Sequence, residues 1–105
     1  MSIKWPIRWD LRTSETHPLQ IDWITNNLFA GRIGITLCPG KYQPVSWSGG
    51  WARDLDIDIS AIEDSGATLV VSLVEETEMK DLRVQGLGKA ILARELEWIH
   101  IPFED

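Results

Sequence analysis

The chain has 105 residues, which fits one domain and leaves no room for a second. Its 44% hydrophobic and 25% charged residues are ordinary for a soluble globular chain and exclude a disordered or fibrous one. Ten basic against sixteen acidic residues leave a net charge of −6, with no Lys/Arg cluster, which argues against nucleic acid and against an anionic membrane surface. No apolar run approaches the roughly 20 residues needed to cross a bilayer, and the first nine residues lack a signal-peptide core, so a cytoplasmic protein is expected.

Residues 1–18 carry Pro6 and Pro18 and no hydrophobic period, and read as an irregular arm ahead of an α/β unit over 19–105. Ile21-Asp22-Trp23-Ile24 and Asn27-Leu28-Phe29-Ala30-Gly31 read as paired strands joined by a turn at Thr25-Asn26-Asn27. Residues 39–50 hold two prolines and three glycines and read as a long surface loop. Residues 51–65 fit both a strand and a helix. Acidic residues near the start, Gly66 at the end and the length favour a helix.

Leu69-Val70-Val71-Ser72-Leu73-Val74 is a nearly continuous apolar run, the pattern of a strand buried on both faces. A short helical turn is expected in 76–84. A second helix carries Leu87, Ala90, Ile91 and Arg94 on one face, and a last strand spans 97–101 before Pro102. This order predicts α/β architecture with parallel strands and crossover helices. Five of six tryptophans lie in the first 51 residues, so the N-terminal half must bury large rings or present them to a partner.

Chemistry is sparse. Asp54, Asp56 and Asp58 have the opening spacing of a calcium loop, but Ile59 stands where glycine is needed and Ser65 where glutamate is needed. A solvated helix face is the expectation. Neither Gly31-Arg32-Ile33-Gly34 nor Gly86-Leu87-Gly88 forms a phosphate-cradling loop, so these are turn or packing glycines and a nucleotide domain is disfavoured. His17 and His100 have no partners at ligand spacing. No cofactor and no metal are expected. Cys38, the single cysteine, has Pro44 where a phosphatase loop needs arginine, and Pro39 removes an amide that such a loop requires. It reads as structural. Asp105 follows the last strand, where an α/β sheet places its ligands, and could serve as a general acid.

Several segments together resemble one known family. They are Leu19-Gln20-Ile21-Asp22-Trp23-Ile24, Gly31-Arg32-Ile33-Gly34-Ile35-Thr36-Leu37-Cys38-Pro39-Gly40-Lys41, Trp51-Ala52-Arg53-Asp54-Leu55, the run from Leu69 with Glu75-Glu76, and Trp98 to Asp105. The chain resembles, from about Leu19 onward, the N-terminal part of the cyclin-dependent-kinase-associated phosphatases and their bacterial relatives, a branch of the dual-specificity protein phosphatases. The resemblance implies an incomplete cysteine-phosphatase-like α/β fold and a phosphocysteine mechanism.

In such a mechanism, a thiolate in an HCxxGxxR loop attacks phosphorus and an aspartate, matched here by Asp105, protonates the departing Ser, Thr or Tyr oxygen. The HCxxGxxR signature does not occur in these residues, and Cys38 matches a family cysteine that is not the nucleophile. The chain by itself is therefore expected to be inactive. The resemblance also implies a strand between the N-terminal pair and the strands at 69–74 and 98–101. Its absence would leave open edges. Association with a complementary half, a second copy or another protein is expected, and a non-catalytic protein-binding module is the alternative reading.

Overall fold

The computed structural model describes residues 11–25, 30–44 and 49–103. Asp105, Trp5, Trp9, Trp47 and the strand expected from Asn27 lie wholly or mostly outside the described residues. The elements are β1 (Asp22–Ile24), β2 (Ile33–Ile35), β3 (Tyr42–Gln43), β4 (Trp51–Ala52), α1 (Leu55–Asp64), β5 (Leu69–Ser72), α2 (Glu76–Asp81), α3 (Leu87–Leu92) and β6 (Glu97–His100). Mixed α/β architecture is thus present, but as three two-stranded sheets: β1–β2 and β3–β4 antiparallel, β5–β6 parallel.

The parallel pair is the organising unit. Leu69 to Ser72 run in register with Glu97 to His100, and α2 and α3 fill the connection between them, as parallel pairing demands. Alternation sends Val70 and Trp98 onto a core made of Ile59 and Ile62 from α1, Met79 from α2, Leu87 and Ile91 from α3, with Val84 and Leu96. Trp98 anchors its own edge of that layer. Its indole N–H donates to Ser72 Oγ at 2.9 Å, and its ring lies against Gly88 of α3. A methyl added at Gly88 would fall within 2.6 Å of the indole carbons.

Gly88→Ala therefore sets two effects against each other. Helix propensity favours alanine by about 1 kcal/mol. Forcing a carbon into a packed ring costs about 1–3 kcal/mol. Net destabilisation in a urea melt is expected, and a stabilised variant would show that the ring yields.

The expectation of a strand covered on both faces is corrected. Leu69 and Val71 are 40% and 47% exposed, as are Ile99 and Ile101 at 46% and 50%. Among the described residues helices pack on the Val70–Trp98 face, and the opposite face is bare. The N-terminal ribbon also differs from expectation. The partner of β1 is β2, with Trp23 opposite Gly34, rather than the segment beginning at Asn27. A side chain at Gly34 would collide with Ile21 and meet the Trp23 ring at 3.0 Å, so glycine lets that ring lie across the ribbon. The Arg32 guanidinium then stacks 4.0 Å above it.

The loop expected over 39–50 contains β3, and 51–52 form β4 before α1 begins at Leu55. Main-chain bonds of Arg12 to Gly50 and Ala52, at 3.0 Å each, tie the preceding segment to this hairpin. The Arg12 guanidinium covers the Trp51 ring at 3.7 Å. Arg94 lies beyond α3 and pairs with Glu63 at 3.1 Å at the surface, so it does not continue the apolar face.

Candidate functional site

Three parts of the molecule bear on function, and the first holds the others in place. Asp54 caps α1 by accepting from the Ile57 amide at 2.9 Å, and Asp56 and Asp58 follow in the first turn. Asp54 and Asp56 are solvated. Asp58 is fully buried, which corrects the expectation of a solvated face. Arg53 donates to it from Nε at 2.8 Å and from Nη2 at 3.0 Å. Ser14 Oγ donates at 2.8 Å and the Gly40 amide at 2.9 Å.

One carboxylate thus joins the arm, the β3–β4 hairpin, α1 and the turn after Cys38. That turn has Pro39 at its second position and Gly40 at φ +73° at its third, with the Lys41 amide bonded to Cys38 O at 3.2 Å. This is type II geometry, which needs a residue tolerant of positive φ where Gly40 stands. A side chain at Gly40 would also press on Leu55. The Cys-Pro-Gly segment is therefore a folding device.

Cys38 is half-buried, with Sγ 3.7 Å from Pro39 O. Burial, reinforced by Asp58 and Glu78 and opposed by Lys41, pushes its pKa from 9.0 up to about 11. A thiol so held is a poor nucleophile. At pH 8 its thiolate fraction is about a hundredfold below that of an unperturbed thiol, so iodoacetamide should alkylate Cys38 at least about a hundredfold more slowly than a free cysteine. The alkylation rate should climb with pH toward a midpoint near 11. A raised thiol pKa means that the fold favours the protonated form. Its stabilising contribution is complete below pH 9 and falls away as the pH rises from 9 toward 11. Rapid alkylation at pH 8 would show an open, activated thiol.

The second part is the carboxyl end of the parallel pair. The Ile101 amide donates to Ser72 O at 2.8 Å and the Phe103 amide to Leu73 O at 2.9 Å. His100 stacks on Trp98 with ring centroids 5.3 Å apart, and its Nε2 lies 2.6 Å from Val74 O. The segment leading toward Asp105 is thus laced to the end of β5. His17 is elsewhere, next to Thr16 Oγ1 at 2.9 Å and edge-on to Trp51. Among the described residues no group of His, Cys, Asp and Glu could hold a metal ion. No described helix is long and apolar enough to cross a membrane.

The third part is a cleft of about 1020 Å³ between the β1–β2 ribbon and β5. Ile33, Gly34 and Ile35 form one wall and Leu69 to Val74 the other, with Ile62, Leu87 and Cys38 toward the core. Arg32 closes one end by donating to Ser65 O at 3.1 Å, at the carboxyl end of α1, where a cation complements the helix dipole. Sequence reasoning missed both the cleft and the Asp58 cluster. Alternation at Ile33/Ile35, Leu69/Val71 and Ile99/Ile101 was visible, but periodicity cannot say whether an apolar face is covered. No protein-family model, curated protein or solved structure matches the chain.

Proposed function

We propose that this chain is the amino-terminal part of a cysteine-dependent protein phosphatase domain, supplying the scaffold and the general acid Asp105 to a nucleophile carried on another segment. The observation that carries this reading is the lacing of residues 101–103 to the carboxyl end of β5, which leads the chain toward Asp105 at the strand ends where α/β sheets do chemistry. The high pKa of Cys38 supports it from the other side, because that thiol is unsuited to attack phosphorus.

The division of labour is then chemical. A thiolate from the complementing segment would displace the alkoxide or phenoxide, and Asp105 would protonate the leaving oxygen as the P–O bond breaks. Tests with an aryl phosphate should show no turnover for the chain alone. Turnover inhibited by vanadate should appear when it is co-expressed with a segment carrying HCxxGxxR from a dual-specificity phosphatase. Vanadate-sensitive hydrolysis by the chain alone would refute the reading.

A second reading, a non-catalytic protein-binding module, is favoured by the cleft. An apolar slot beside open strand edges suits a polypeptide partner better than a small polar substrate.

A further inference from the structure

The cleft has a main-chain side as well as an apolar one. In a parallel ladder every second residue of a strand uses both its N–H and its C=O toward one neighbour. The Thr68 carbonyl accepts from Glu97 N at 2.9 Å and the Ser72 carbonyl from Ile101 N at 2.8 Å. Thr68, Val70 and Ser72 therefore face β6, and the amides and carbonyls of Leu69 and Val71 face the opposite edge. No described residue of β6 lines the cleft, so that opposite edge is the one that opens into it. Across the slot, β2 pairs only with β1.

Size and charge narrow the occupant. A residue in a packed sheet takes about 3.3 Å along the strand, 4.8 Å between strands and 10 Å between layers, or about 160 Å³. The 1020 Å³ of the slot then holds about six residues, a strand of ordinary length. The lining is charged only at Arg32 and Glu78, so the middle of the occupant must be uncharged. A helix would fill the space and leave the edge amides unpaired.

A second copy fits poorly. A strand lying in the slot needs both of its own edges free, and each described strand brings a bonded neighbour.

We propose that this slot binds one extended, uncharged, β-branched segment of about six residues from another polypeptide, which adds its main chain to the open edge of β5. Inward side chains of the segment settle on Ile62 and Leu87, and outward ones extend the bare face of Leu69 and Val71. The site requires no catalysis by the occupant. Failure of the phosphatase reading would leave it standing.

The probe is a synthetic peptide with a central run of alternating valine and threonine flanked by lysines. Its control has proline at every second central position, which keeps the charge and removes the donors. The readout is amide hydrogen exchange on the full 105-residue chain. Saturating peptide should slow the Leu69 and Val71 amides about tenfold or more and leave Val70, already bonded to β6, unchanged. The proline control should do nothing. Val71→Lys changes an exposed side chain and should keep the fold while abolishing the protection.

Equal protection by both peptides overturns the proposal, and so does protection at Val71→Lys. Protection that follows chain concentration without peptide overturns it in favour of a second copy. If the chain alone exchanges too fast to follow, the valine–threonine peptide should raise its helical circular dichroism, and no rise would overturn the proposal.

Discussion

Asp58→Asn is expected to remove about 3–5 kcal/mol of stability, enough to unfold much of a domain this small. The charge is fully buried and satisfied by four donors from Arg53, Ser14 and Gly40. Asparagine keeps the shape and loses the charge. The Arg53 side chain, itself 1% exposed, is then left as a buried cation without a counterion. The substituted side chain's amide nitrogen would also present hydrogens to groups that are themselves donors.

The matched control is Glu63→Gln. It breaks the ion pair with Arg94, in which the Arg94 and Glu63 side chains are 31% and 44% exposed, and should cost less than about 1 kcal/mol. Urea melts followed by tryptophan fluorescence measure both. A loss below about 1 kcal/mol for Asp58→Asn would mean that water reaches Arg53 or that the turn at Gly40 relaxes without its anchor.

In a complemented, active enzyme, Asp105→Asn should lower kcat by about 10²–10⁴-fold, the usual worth of a positioned general acid. Vanadate should bind unchanged, because its recognition belongs to the phosphate loop on the other segment. The sharper readout is the leaving group. An alkyl phosphate needs the proton and should show the whole loss. An aryl phosphate with an acidic phenol departs as a stable anion and should show much less. A merely structural role for Asp105 would depress both substrates alike, and an unchanged rate on both would assign the proton to another group.

These two variants probe different levels of the molecule, and the sequence exposed them unequally. Apolar periodicity located α1, α2, α3, β5 and β6 within a few residues, because each has a local pattern that its own packing satisfies. The N-cap at Asp54 and the helix end at Gly66, φ +89°, were equally local. The short strands were not. The pairing of β1 with β2 rests on the space that Gly34 leaves for Trp23, a contact made across the chain. Asp58 shows the same limit, since Asp54, Asp56 and Asp58 look alike in sequence and only Arg53, Ser14 and Gly40, brought in from three directions, bury one of them.

From residue order alone came the mixed α/β class, the parallel pair with its crossover helices, the structural reading of Cys38 and the choice of Asp105. Each of these is set by a local period, by a neighbouring proline or glycine, or by spacing within a motif. Tertiary structure decided which apolar faces stay bare, which carboxylate is buried, and that a slot the width of a strand opens beside β5. Those outcomes depend on what neighbouring elements leave uncovered, and one strand's pattern reads the same whether its neighbour is present or missing.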